Sequence, residues 1–213
     1  MDYDHCGANF PPSLVINSRD FFEKNNLLKD RIYKSYSDAT DNHGTEVLGT
    51  IVSNPDTLHS VIGINKISKA VIANTQSGGA DATAKLYYQM ITENPLVRVI
   101  SNSWGDVNQC VSIKRWFIFS GIDCPTFEDS IEKTEKYAVL AMKTPNVLHV
   151  WAAGNDGRDA KYQNGAIYFD KNGNKRILNN VLVVGAILND GRLAEYSNYG
   201  ESVDIYAPTE FQT

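Results

Sequence analysis

This sequence is short of positive charge, of cysteine and of long apolar runs. With 20 Lys and Arg against 25 Asp and Glu, its formal net charge is -5. No run of basic residues offers a cationic surface, so nucleic acid and anionic lipid are not expected partners. The longest apolar stretches, such as Val181 to Leu188, fall well short of the roughly 20 residues that span a bilayer. The first residues, Met1-Asp2-Tyr3-Asp4-His5-Cys6, have neither a basic start nor an apolar core, so no signal peptide is read there. No internal repeat, low-complexity tract or Pro/Gly/Ser linker marks a domain boundary. No glycine-rich phosphate loop follows a strand, which sets a nucleotide-binding protein far down the order. Of the three cysteines, Cys110 and Cys124 flank one segment. A bridge between them would close a loop of about 15 residues and contribute roughly 3 kcal/mol in the chain-entropy model. Their spacing is equally consistent with two free thiols, and Cys6 has no assigned role.

What the chain does have is enough apolar material for one core. At 213 residues, 42% hydrophobic and 21% charged, it predicts a single α/β domain spanning 1–213. Strands are predicted at Val61 to Ile64 with Lys69 to Ala73, at Val97 to Ser101, at Leu148 to Ala153 and at Val181 to Leu188, from β-branched composition. Asp81 to Asn94 places Leu86, Met90 and Ile91 at helical spacing and stops before Pro95. A second helix is read from a cap at Asp129-Ser130 to Lys143. Phe21 to Asp30 reads as a short helical turn and Arg31 to Ser37 as extended chain, and Arg158 to Asn180, with two Asn-Gly pairs, as a hairpin-like excursion.

The chemistry centres on Asp41-Asn42-His43-Gly44-Thr45-Glu46-Val47-Leu48-Gly49-Thr50. Asp41 or Asn42 can accept from free N–H groups of a first helical turn, which would hold the His43 imidazole near a helix start. Val47 and Ile51, with Gly44 and Gly49, give that helix one close-packing face. A held imidazole suits general-base work because its ordinary pKa lies near neutrality. A lone histidine there is more often a polar cap, so its company matters. Ser101-Asn102-Ser103-Trp104-Gly105 comes next, then Trp151-Ala152-Ala153-Gly154-Asn155-Asp156-Gly157, then Val183-Val184-Gly185-Ala186, Tyr196-Ser197-Asn198-Tyr199-Gly200 and Ala207-Pro208.

In that order these motifs resemble the subtilisin-like serine proteases, the subtilases, over nearly the whole chain apart from an insertion at about 106–126. The resemblance implies a subtilisin-like three-layer α/β fold, with a mostly parallel central sheet and helices on both faces. It implies a serine endopeptidase acting on polypeptide substrates, with His43 as general base and Asn155 as amide donor to the oxyanion. Ser77, Gly78 and Gly79 would form one wall of the substrate groove, and Ser103, Trp104 and Gly105 would pair with substrate main chain. The reaction requires no cofactor. Relatives often bind structural calcium, but no local carboxylate cluster here has a spacing that marks a cage. By resemblance the protein is secreted, periplasmic or at the cell surface.

Two parts of the family pattern are missing. The catalytic aspartate opens an Asp-(Ser/Thr)-Gly triplet, and Met1 to His5 looks like the stretch after that glycine; Asp2 and Asp4 lack the required neighbours. The nucleophile comes directly after a Gly-Thr pair, yet Gly44-Thr45 and Gly49-Thr50 are not followed by serine, and Ser197 and Ser202 precede or lead into Ala207-Pro208. The expectation is a central piece of the catalytic domain, truncated at both ends and inactive as it stands, since a triad works as a unit. The alternative is a peptidase-like module that binds extended peptides without cutting them.

Overall fold

Val181–Ile187 carries apolar residues throughout but buries only every second one, the signature of a strand packed more tightly on one face than the other. In the computed structural model it lies within a four-stranded parallel sheet. The structure describes residues 19–20, 43–52, 63–65, 67–74, 79–104, 111–115, 119–124 and 126–209. They fall into two units, Met1–Asn94 and Pro95–Thr213, each of which is treated by itself.

In the C-terminal unit the sheet comprises β3 (Val99–Asn102), β6 (Leu148–Ala152), β7 (Val181–Ile187) and β8 (Ile205–Pro208), in that spatial order. Parallel neighbours need crossover connections. Between β3 and β6 the chain forms a two-stranded hairpin and helix α3 (Phe127–Lys143), and between β6 and β7 it forms α4 (Lys161–Tyr168). The hairpin is β4 (Val111–Arg115) paired antiparallel with β5 (Phe119–Asp123), and it occupies the segment read as an insertion. Immediately after it, Cys124 is disulfide-bonded, while Cys6 and Cys110 both lie outside the described residues.

Helix α3 buries Ile131, Thr134, Tyr137, Ala138 and Ala141, a three-and-four spacing that makes one continuous face. Tyr137 from this face packs on Trp151 of β6, ring centroids 5.0 Å apart, and Trp104 meets both rings edge-on at 5.5 and 5.4 Å. The helix starts earlier than its sequence suggested. Thr126, not Asp129-Ser130, is the cap: its hydroxyl accepts from the Asp129 N–H, and the Asp129 carboxylate accepts from the Thr126 N–H. This reciprocal pair is a capping box with aspartate in the usual glutamate position. These hydrogen bonds to Thr126 hold the Asp129 carboxyl below its ordinary pKa. At the other end, the Asn180 amide donates to the carbonyls of Ala141, Thr144 and Val147, tying the helix terminus and the β6 entry to the start of β7.

Beside that junction sits His149, 1% exposed. Thr144 Oγ1 donates to the Leu140 carbonyl and lies 2.8 Å from His149 Nε2. A hydroxyl has one proton, so toward the ring it must accept, and Nε2 carries the hydrogen. Burial lowers the imidazole pKa from 6.5 to about 4. The unfolded chain therefore takes up this proton first as pH falls. The stability from keeping His149 neutral is complete above about pH 6.5 and is lost as pH drops toward 4, a change of roughly 3 kcal/mol. Urea unfolding at pH 7 and pH 4.5 is expected to show most of this loss, about 2 kcal/mol, and His149→Gln to show about 2 kcal/mol less pH dependence. Equal pH dependence in both proteins would contradict the assignment.

Arg158 to Asn180 folds differently from the hairpin its Asn-Gly pairs suggested. Asn164 and Gly165 lie inside α4. The Asp159 carboxylate accepts from the Lys161 N–H at the helix start, a local cap that outweighs the turn preference of Asn-Gly. The second pair does turn: Asp170 accepts from the N–H groups of Asn172 and Asn174, and Phe169 bridges to Lys175.

In the N-terminal unit, β1 (Arg19–Asp20) pairs parallel with β2 (Ala73–Asn74). Helix α1 covers His43–Val52 and α2 covers Gly79–Glu93. Helix α2 buries Leu86 and Met90, as its spacing predicts, together with Thr83 and Tyr87, while Ile91, the third predicted position, is half-buried. Asn94 donates from backbone and side chain to the Met90 carbonyl just before Pro95. Of the face read through Val47, Ile51, Gly44 and Gly49, helix α1 buries Gly49 and half-buries Gly44 and Val47, but it leaves Ile51 37% exposed and buries Val52 instead. Ile64 is also no buried strand residue, being 86% exposed. The Asn65 side chain accepts from the N–H groups of Ile67 and Ser68, which curls the backbone into a turn before β2. The segments read as helix and extended chain in 21–37 lie outside the described residues. Among the described residues no helix is long and apolar enough to cross a membrane.

Candidate active site

Strands β3 and β6 run side by side in parallel, with Asn102 opposite Trp151. Both therefore end at one edge of the sheet, where open α/β sheets place their chemistry. Ser103 and Trp104 continue from β3, and Ala153, Gly154 and Asn155 continue from β6. Ser103 and Trp104 are half-buried, and Asn155 is exposed in the turn beyond β6. Ser103 and Trp104 of the segment predicted to pair with substrate, and the predicted oxyanion donor Asn155, thus follow neighbouring strands at the same edge of the sheet.

That turn is built tightly. Ala153 donates to the Val184 carbonyl, extending the ladder one residue past the strand. Gly154 then takes φ +105°, a conformation other residues rarely adopt, and a Cβ there would fall on the Gln163 amide oxygen. Asn198, 0% exposed, lies against this turn. Its Oδ1 accepts from the N–H groups of Asp156 at 3.0 Å and Arg158 at 3.2 Å. Its Nδ2 donates to the Ala153 carbonyl at 3.0 Å and to Gln163 Oε1 at 2.8 Å. Its own backbone N–H donates to the Gly154 carbonyl at 2.9 Å. All four hydrogen-bonding positions of the side-chain amide are filled, which also fixes which end is oxygen.

Ser197, next in line, is 1% exposed. Its hydroxyl accepts from the Ala186 N–H and donates to the Asn198 carbonyl. That proton is spent on holding the backbone, and Ser197 also precedes Ala207-Pro208, which the family's nucleophile would follow.

The remaining predicted residues belong to the N-terminal unit or lie outside the described residues. His43 is the first residue of α1 and is exposed; Gly79 is the first residue of α2. Asp2, Asp4, Asp41, Asn42, Ser77, Gly78 and Gly105 lie outside the described residues. Among the described residues no group of three His, Cys, Asp or Glu comes together as a metal cage. In the sequence Asn198 stands within the Tyr196 to Gly200 motif with no task of its own, and Gln163 belongs to no motif at all. Nothing in the linear pattern announces that Asn198 meets Asp156 across 42 positions.

Comparison with known proteins agrees with this architecture. Residues 10–213 match the sequence profile of the Subtilase family. No curated protein sequence matches. Among solved structures, a mutant of the epidermin leader peptide processing serine protease EpiP from Staphylococcus aureus is similar over 97% of this chain and 50% of its own, at 21% identity and TM-score 0.57. A cold adapted subtilisin-like serine proteinase is similar over 97% of this chain and 57% of its own, at 19% identity and TM-score 0.56. The nisin leader peptidase NisP from Lactococcus lactis covers 92% of this chain and 56% of its own, at 20% identity and TM-score 0.52. The fold is the subtilisin-like α/β fold, and this chain spans 50% to 57% of the length of those three proteins.

Proposed function

The chain belongs to the subtilase family of serine proteases, and from that premise we propose that it supplies the central part of a subtilisin-type endopeptidase that hydrolyses peptide bonds. The observation that carries this reading is the turn after β6, which presents an exposed Asn155 at the same carboxyl edge of the sheet from which the half-buried Ser103 and Trp104 continue β3. His43 takes the proton of the nucleophile, and the Asn155 amide stabilises the oxyanion of the tetrahedral intermediate. An extended substrate adds its main chain along Ser103-Trp104-Gly105, gaining affinity from backbone pairing, and Ser77-Gly78-Gly79 is the second segment assigned to substrate binding. The nucleophilic serine and the catalytic aspartate come from sequence outside these 213 residues, since no Gly-Thr pair here is followed by serine. Hydrolysis by this route requires no cofactor. The disulfide at Cys124 supports an oxidising setting, hence secretion, the periplasm or the cell surface. The charge of -5 supports polypeptide and not nucleic acid as the partner.

A serine-directed organophosphonate is the direct test. It is expected to label the full-length gene product stoichiometrically. Absence of labelling, together with retained binding of an extended peptide, would replace this reading with a groove that binds without cutting. The role of Asn155 has its own readout. Asn155→Ala in the full-length product is expected to lower kcat by about 10²–10³ with KM nearly unchanged, a magnitude borrowed from the oxyanion asparagine of subtilisin itself. A variant with unchanged kcat removes Asn155 from the mechanism.

A further inference from the structure

We infer that Asn198 is a positioning residue for the oxyanion site, acting through the backbone on either side of Asn155. The inference rests on reading Asn155 as the oxyanion donor. A side-chain donor serves the transition state only if its amide stands where charge develops, and a misplacement of about 1 Å can cost on the order of 10²-fold in rate. Asn155 itself is exposed, so core packing does not hold it. What is held is its backbone: the carbonyl of Gly154 accepts from the Asn198 N–H, and the N–H of Asp156 donates to Asn198 Oδ1. The residues before and after Asn155 are thus fastened to one buried residue.

The fastening is itself supported. Asn198 Nδ2 reaches back to the Ala153 carbonyl and across to Gln163 on α4, so the amide can neither rotate nor flip without losing buried bonds. Its neighbour Ser197 is tied to Ala186 of β7. Displacements of the turn are therefore referred to two rigid elements, β7 and α4, as precise placement of a reacting group requires. The Gly154 conformation adds to this, because the Gln163 amide occupies the space that any side chain at 154 would need.

A double-mutant cycle in the full-length gene product tests the inference. Asn198→Ala is expected to lower kcat about 10²-fold while KM stays within about twofold, because peptide pairing along Ser103 to Gly105 is untouched. The variant lacking both side chains is expected to be no slower than Asn155→Ala alone, since Asn198 acts through Asn155. If Asn155→Ala slows the enzyme but Asn198→Ala does not, or if the two losses simply multiply, the positioning role is wrong and the oxyanion reading stands. If Asn155→Ala itself leaves kcat unchanged, it is the oxyanion reading that fails. Should Asn198→Ala not fold, Gln163→Ala loosens only the donor side. It is expected to lower kcat about threefold to tenfold at constant KM, and an unchanged kcat overturns the inference.

Discussion

Replacing His43 by alanine in the full-length gene product is expected to lower kcat by about 10⁶-fold and to abolish labelling by a serine-directed probe, a magnitude taken from the triad histidine of subtilisin itself. A serine hydroxyl is a weak nucleophile at its ordinary pKa and attacks only as a base removes its proton. His43 opens α1, which fixes the position of its Cα, and the residue is exposed. KM is expected to change little, because the proposed source of affinity is main-chain pairing that His43 does not make. Hydrolysis should still exceed the uncatalysed rate by about 10³–10⁴, the share left by oxyanion stabilisation and binding. Unaltered labelling would show that another group serves as the base.

Removing the indole of Trp151 is expected to destabilise the protein by about 3–5 kcal/mol. Trp151 is 3% exposed on the strand between β3 and β7, and its ring is in contact with those of Trp104 and Tyr137. Truncation leaves a cavity that three elements, β6, α3 and the segment after β3, would have to close together, and it forfeits two ring pairs worth about 0.5–1.5 kcal/mol each beyond burial. The urea midpoint reads the loss. Trp104→Ala makes the comparison, since that ring is only half-buried and should cost less. A Trp151→Ala loss below about 1 kcal/mol would mean that the triplet of rings is not the packed junction described.

Periodicity made the regular elements legible where local preference and burial agree. Leu86 and Met90 lie on the buried face of α2, and Val181 and Val183 on the buried face of β7. Local signals failed where side chains offered the backbone an alternative. Asn65 turns a stretch whose isoleucines suggested a strand, and Asp159 starts a helix through an Asn-Gly pair. Thr126 is hard to recognise as a cap because its partner at the third position is aspartate, a less common choice than glutamate. For the site, Asn155 could be picked out by its place in an ordered set of motifs, because Asn-Asp-Gly alone is ordinary turn chemistry. The clamp formed by Asn198 was not legible, since it depends on contacts between residues far apart in the chain.

Among the described residues the ribbon of β4 and β5 shares no ladder with the four-stranded sheet, and the start of α3 is capped by the box at Thr126. Lengthening such an excursion adds only about 0.6 kcal/mol of closure entropy for each doubling. Changes in the length of the ribbon are expected to leave β6 and its flanking strands as they are. Lineage-specific diversity is therefore expected to accumulate there, a few residues along the chain from Ser103 and Trp104, and not in the strands that support them.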